Sequence, residues 1–315
     1  MNKRALGRSG IEVSPLGMGC WAIGGSGWGN GANDDESIRG IHKALELGVN
    51  FFDTADVYGA GHSERILAKA LVGRRNEVII ATKFGYTDTG PNATPEYIRS
   101  ACEASLKRLD TDYIDLYQFH VNDFDPNHAD VVRDTLENLV ADGKIRAYGW
   151  STDFPEGARV FAQGTHCASI QVELNVVDDA PDILAVCEAF NLAAINRGPL
   201  AMGLLTGKYN PNSKLPQDDV RGPNAPDWMK YFKDGQPNPE WLNKVQAVGE
   251  ILRSDGRTLA QGALAWLWAR SDKNIPIPGF RNPIQVEENC GALAFGALTQ
   301  EQMRQIDEIL ERSTK

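Results

Sequence analysis

No run of about 18 apolar residues occurs in the chain, which excludes a membrane-spanning helix. The first residues, MNKRALGRSG, lack the apolar core of a secretory leader, so a cytoplasmic location is expected. Cysteine is sparse and poorly placed for crosslinking. There are five, at Cys20, Cys102, Cys167, Cys187 and Cys290, an odd number with no C-x-x-C pair. That pattern excludes a disulfide framework and a structural zinc site and predicts five reduced thiols. His42, His62, His128 and His166 are scattered and read as surface residues, so no metal cluster is expected; only His62, near Tyr58, is a candidate substrate contact. Basic residues are outnumbered, and the net charge of −10 argues against nucleic acid or an anionic membrane as partner. No solenoid-type repeat is visible.

What the chain does have is a regular alternation of short apolar runs and amphipathic stretches. Its 315 residues fit two average domains or one large α/β barrel, and 42% apolar content suffices for one core. RALGRSGIEV reads as a hairpin about a Ser-Gly turn. Eight apolar runs follow: SPLGMGCW, VNFFDT, EVIIATK, YIDLYQFH, IRAYGWST, ASIQVELN, LAAINR and NIPIPGF, with helical patterns between them. Gly48 ends the first helix, and Thr94-Pro95-Glu96 opens a later one with an N-cap and proline at the first position. LTQEQMRQIDEILERS forms a last amphipathic helix with a Thr N-cap. The expectation is a single α/β domain over residues 1–315. It is a (β/α)8 TIM barrel with an N-terminal hairpin, additional C-terminal helices and a substrate and cofactor loop at about 198–239. A doubly wound open sheet is the alternative, but it wants a tight glycine elbow after the first strand. Gly17-Met18-Gly19-Cys20-Trp21-Ala22 fits G-x-G-x-x-A only loosely, and no helix follows at once.

Three successive strands end in titratable groups. VNFFDT delivers Asp53 and, in the next loop, Tyr58; VIIATK ends on Lys83; YIDLYQFH ends on His120. In a barrel these tips share one face. An ammonium beside a phenol favours phenolate, so Lys83 is expected to lower the Tyr58 pKa, with Asp53 holding the lysine charged. Such a phenol can protonate a carbonyl oxygen that has just accepted a hydride, while a neutral His120 orients that oxygen. Trp21, Trp28, Tyr86 and Trp228 are candidate substrate walls, with Tyr231 and Phe232 in the same loop as Trp228. An aromatic pocket without a fixed cation suits uncharged aldehydes or ketones.

The series Asp53, Tyr58, Lys83, His120 resembles the catalytic tetrad of the aldo-keto reductase superfamily, and the likeness runs almost end to end. GWST resembles that family's strand-five Ser-Asn motif, with Thr152 in place of Asn. IQVELN supplies its Gln171, PLAMGLLTGKY resembles its pyrophosphate loop, and IPGFRNPIQVEEN its adenosine segment. The style is that of the bacterial reductases and the potassium-channel β-subunit branch. The resemblance implies an NADP(H) cofactor, with NAD(H) the alternative. It implies that Trp21, Ser151, Thr152, Gln171 and Arg197 contact the nicotinamide end. Pro199, Leu200, Gly203, Leu205 and Lys208 would line the pyrophosphate, and Gly279, Arg281, Gln285, Glu288 and Asn289 the adenosine end.

Arg197 stands where the family carries a stacking aromatic, and its charge is expected to repel oxidised nicotinamide. Gly279 replaces a phosphate-binding lysine of some members, so 2′-phosphate recognition rests on Arg281. Gly203 to Tyr209 only brushes a Walker A loop, one spacer short and with Tyr for Ser or Thr, which speaks against ATP. The implied activity is reversible carbonyl reduction of a small molecule by a monomer. A cofactor-binding regulatory subunit is the rival; the lack of an N-terminal partner-binding arm speaks against it. A Schiff-base lyase or isomerase on Lys83 is a third, weaker reading.

Overall fold

A computed structural model describes residues 2–25, 27–29 and 33–312. The chain opens with the predicted hairpin, β1 (Arg4–Ala5) and β2 (Glu12–Val13). Strand β3 (Met18–Gly19), helix α1 (Asp34–Glu46), β4 (Phe51–Asp53) and α2 (His62–Ala70) follow. Next come β5 (Ile79–Phe84), a hairpin of β6 (Tyr86–Thr87) and β7 (Gly90–Pro91), and α3 (Pro95–Leu109). The alternation continues through β8 (Ile114–Phe119), α4 (Ala129–Ala141), β9 (Ile145–Ser151), α5 (Pro155–Ala162), β10 (Cys167–Glu173), α6 (Pro181–Ala189) and β11 (Ala193–Arg197). A long segment carries the small hairpin β12 (Phe232–Lys233) and β13 (Gln236–Pro237). Helices α7 (Pro239–Leu252) and α8 (Leu259–Arg270), strand β14 (Asn274–Pro276), α9 (Pro283–Gly291) and α10 (Gln300–Ile309) complete it.

The sheet order is β3-β4-β5-β8-β9-β10-β11-β14, every pairing parallel, as a βα alternation requires. The first and last strands then meet. Gly17 N–H donates to the Pro276 carbonyl at 2.9 Å and Gly19 N–H to the Pro278 carbonyl at 3.0 Å, which closes the (β/α)8 barrel. Both outer strands are shorter than the apolar runs predict. Pro276 and Pro278 have no N–H to donate, so neither returns a bond to the first strand, and the pairing is completed by a bridge between Gly19 and Gly279.

Inward and outward residues alternate along each strand. At the amino end of the barrel the inward row is apolar: Phe51, Ala81, Leu116, Ala147, Ala193 and Ile275 pack with Leu6, Ile11 and Val13 of the hairpin, which plugs that end. One step along the same faces the row turns polar. Phe51 gives way to Asp53, Ala81 to Lys83, Leu116 to Gln118 and Ser169 to Gln171, all buried. Outward residues such as Phe52, Tyr117, Phe119, Trp150 and Val172 pack against the helices. Helix starts are capped as the sequence indicates: Thr94 accepts from the Tyr97 N–H, and Thr258 and Thr299 form full capping boxes.

The long loop contains a paired hairpin, and Tyr231 and Phe232 within it are buried at 1% and 2% exposure, so they belong to the core and not to a pocket wall. Packing beneath the loop, not its composition, decides where its aromatics go. All five cysteines are free and buried.

Candidate active site

The polar inward row forms one connected unit at the carboxyl end of the barrel. Lys83 Nζ lies 2.5 Å from Asp53 Oδ1, 2.7 Å from the Thr54 carbonyl oxygen and 3.2 Å from the Tyr58 hydroxyl. An ammonium has three donors, and all three are used. The other carboxylate oxygen of Asp53 accepts from Gln118 Nε2 at 2.9 Å and Gln171 Nε2 at 2.7 Å. Lys83 is fully buried, and its ion pair with Asp53 is sealed from solvent.

Burial pushes the Lys83 ammonium toward its neutral form, but Asp53 and Tyr58 outweigh this and leave its pKa raised. The predicted lowering of Tyr58 does not occur. Burial of the phenol outweighs the pull of Lys83, and the Tyr58 pKa stands above its ordinary value. Tyr58 is therefore a protonated phenol held by a cation, an arrangement that gives up a proton only to a strong local demand. Burial first, then Lys83 and Arg197, holds His120 well below its ordinary value, so its ring is neutral. That ring stands edge-on to Tyr58 with centroids 6.0 Å apart, and its Nδ1 is buried without a hydrogen-bond partner among the described residues.

A cavity of about 350 Å³ runs from this unit along the barrel mouth. Trp21, Trp28, Asp53, Tyr58, Gln171 and Arg197 line its inner end. Pro199, Leu200, Gly203 and Lys208 line its middle, and Gly279, Arg281, Gln285, Glu288 and Asn289 its outer end. Trp21 stacks over Tyr58 at 5.9 Å and 23°, meets Trp28 edge-on at 5.0 Å and approaches Trp228 at 6.1 Å. Trp228 is 57% exposed, at the rim. Tyr86 reaches the site from the other side, 5.6 Å from the His120 ring.

Other predicted residues lie off the cavity. Leu205 is fully buried in the core. The Thr152 hydroxyl donates to the Asn122 carbonyl at 2.6 Å and accepts from the Phe154 N–H at 3.1 Å, which commits it to the turn before α5. Ser151 pairs in register with Gln171. His62 is bonded to Asp34 at 2.9 Å and does not line the cavity.

Arg197 corrects the expectation of a pocket without a fixed cation, because its guanidinium lines the cavity. Nor is it a bare charge. It is held by Asp153 and, at 3.0 Å, by Glu173, its direct cross-strand partner. Burial would lower its pKa, but these carboxylates raise it. Sequence reading also missed Gln118, which shares its strand face with His120 two residues on. It missed Arg221 too, a buried guanidinium bonded to Asp219 at 2.8 and 2.7 Å, which faces the Trp28 ring at 4.9 Å.

The outer cavity is shaped and equipped for an elongated anionic ligand. Ala201, Met202 and Gly203 are three successive residues with positive φ, two of them non-glycine, so the turn there is held strained against the cleft. At Gly279 a Cβ would meet only the Gly19 carbonyl oxygen at 3.9 Å, so the glycine leaves a hollow in the wall. Lys208, Arg221 and Arg281 supply positive charge, and α9 points its N-terminus at the outer end, capped by Asn282. The Arg281 N–H is held by Gln285 Oε1 at 2.7 Å, and its guanidinium donates to the Trp28 carbonyl at 3.0 Å. These donors fit a dinucleotide with its phosphates along the middle and outer cleft.

Residues 15–311 match the Aldo/keto reductase family. The chain is 33% identical to the chloroplastic pyridoxal reductase of Arabidopsis thaliana, over 97% of this chain and 85% of that protein. It is 32% identical to the aldo-keto reductase yakc [NADP(+)] of Schizosaccharomyces pombe, over 89% and 84%. Among solved structures it resembles the glycerol dehydrogenase AKR11B4 of Gluconobacter oxydans, with a TM-score of 0.82, 34% identity, and 99% and 95% of the two chains covered.

Proposed function

Because the chain belongs to the aldo/keto reductase family of NAD(P)H-dependent oxidoreductases, we propose that it interconverts small aldehydes or ketones and their alcohols, with Tyr58 as the proton donor and NADPH as preferred cofactor. The single observation that carries this reading is the sealed Asp53–Lys83–Tyr58 chain of contacts at the cavity's inner end. When bound, reduced nicotinamide supplies a hydride; the chain's residues supply everything else. As negative charge grows on the substrate oxygen, Tyr58 donates its proton and the adjacent Lys83 ammonium stabilises the phenolate left behind. Asp53 keeps Lys83 charged through that change. His120, neutral and beside Tyr58, orients the same oxygen without competing for the proton.

Gln171 has its amide N–H groups on Asp53 and Gln118, while its carbonyl oxygen accepts no hydrogen bond among the described residues. That oxygen is the acceptor for a carboxamide N–H. Thr152, already committed to Asn122, adds nothing there. Lys208 serves the pyrophosphate, and Glu288 and Asn289 serve the adenine. Arg281, with Gln285, serves the 2′-phosphate by paired charge-assisted bonds, the basis for favouring NADPH. The S. pombe relative carries NADP(+) in its name, in keeping with that preference. One relative named for an aldehyde and another for a polyol fit a reaction that runs both ways. A Schiff base on Lys83 needs a neutral amine with room to react, and this lysine is charged, buried and fully hydrogen-bonded.

The test follows consumption of NADPH by its absorbance with a simple aromatic aldehyde, comparing wild type with Tyr58→Phe. The expected result is turnover reduced at least about 10²-fold in the variant with cofactor affinity retained. Tight cofactor binding without turnover by the wild type on a broad carbonyl panel would reject the reading.

A further inference from the structure

A second hollow, about 510 Å³ in volume, shares no lining residue with the cofactor cleft. Its floor is one face of α3. Tyr97, Ser100, Ala101, Ala104 and Arg108 line it at helical spacing, and the three small residues in the middle create the depression. One wall is the loop that carries Tyr58, through Asp56, Val57 and Ala60; the other is the hairpin that begins at Tyr86, through Thr87 and Asp88.

The charged groups here are unevenly satisfied. Arg108 donates to Glu64 at 2.5 Å and to Ser105 at 3.0 Å, so its charge is compensated within the protein. Asp56 has no such partner. Its Oδ1 is shielded from water with no hydrogen bond among the described residues, and the adjacent Val57 amide is the one donor its carboxylate meets. A carboxylate in that state lacks a cation or donor. Turning the group about its last bond, a soft torsion, exchanges the two oxygens and presents either to the hollow. Asp88 adds a second negative charge at the rim. Val57 and Tyr86, 41% and 37% exposed, offer apolar surface beside the acid, and the Tyr97 ring lies on the floor. Acid at one end and aromatic or aliphatic walls at the other define an amphipathic cationic ligand.

We propose that this hollow is a binding site for a small primary amine on an apolar body, with its ammonium on Asp56 and its body between Val57, Tyr86 and Tyr97. An occupant would touch both loops that shape the catalytic cavity. Tyr97 already ties the floor to one of them, since its hydroxyl accepts from the Gly85 N–H at 3.2 Å and donates to the Tyr86 carbonyl at 3.2 Å. The Asp56 N–H, 3.3 Å from the Lys83 carbonyl, ties the other to the strand bearing the catalytic lysine.

The test is calorimetric titration at about pH 8, where Asp56 is ionised and the amine still protonated, of the NADPH-loaded protein with phenethylamine, and with neutral phenylacetamide as control. Wild type should show saturable binding of the amine and at least tenfold weaker binding of the amide. Asp56→Asn, which keeps shape and loses charge, should lose at least tenfold in amine affinity. Ala104→Phe, which fills the floor and keeps the charge, should abolish binding; near-ultraviolet circular dichroism and NADPH affinity check that each variant is folded. Tyr58→Phe should bind the amine like wild type. Absence of saturable binding to wild type, equal affinity in Asp56→Asn, or loss through Tyr58→Phe instead would overturn the proposal.

Discussion

Gln171 on β10 donates a 2.7 Å hydrogen bond to Asp53 on β4, across the mouth of the barrel. The carboxylate that holds Lys83 on one oxygen is thus held in turn by amides on its other. Replacing Gln171 with Leu removes one of two donors to a buried charge. Urea denaturation should show a loss of about 1–3 kcal/mol. The same change at Gln118 should not add fully, because both amides serve one oxygen.

Lys83 and Asp53 stabilise as a pair more than either does alone. Lys83→Met strands the Asp53 carboxylate in the barrel and should cost about 3–5 kcal/mol at neutral pH. Adding Asp53→Asn to it should recover a large part of that loss, since no buried charge then remains. A double variant no more stable than Lys83→Met alone would contradict this account.

Asp56 gives stability a pH signature of its own. Burial first and then Glu64 push its carboxyl up to about 7, with Arg108 pulling the other way. A raised carboxyl means that the folded state holds a proton the unfolded chain has already released. Its stabilising contribution is therefore complete below the unfolded value and disappears as pH rises through about 7. Asp56→Asn should raise the thermal midpoint more at pH 8 than at pH 5; an equal change at both would refute the shift.

Arg197→Tyr removes the cation, leaving Asp153 without its ion-pair partner and Glu173 with Lys230 alone at 3.4 Å. The inner end of the cleft becomes more negative, which favours a positively charged nicotinamide. Fluorescence titration should show NADP+ affinity rising relative to NADPH by about tenfold, equivalent to about 1.4 kcal/mol. A ratio unchanged from wild type would mean that the two carboxylates already cancel Arg197 in the native protein.

The legible part of the site was the part written in strand ends. Asp53, Lys83 and His120 each close an apolar run, and barrel geometry brings such tips together. What supports them was hidden for physical reasons. Gln118 is a neutral amide inside an apolar strand, and only the period-2 step to His120 marks its face. Glu173 meets Arg197 through the register of β10 on β11 and Asp153 meets it from the turn after β9, which no local pattern encodes. The direction of the Tyr58 shift was misjudged because sequence shows neighbours but not desolvation. The amine hollow needs α3 set against both the loop that carries Tyr58 and the β6–β7 hairpin, so nothing in the sequence announces it.

The seam that closes the barrel also sets an order of events in synthesis. Gly17 and Gly19 wait for the carbonyls of Pro276 and Pro278, Trp268 Nε1 for the Pro15 carbonyl, and Arg4 for that of Asn274. The first strand thus finds its second neighbour only when residues 276–279, about 260 positions later, have left the ribosome. Until then a nascent chain exposes the open edges of a growing sheet, and the barrel closes only once residues 276–278 have emerged.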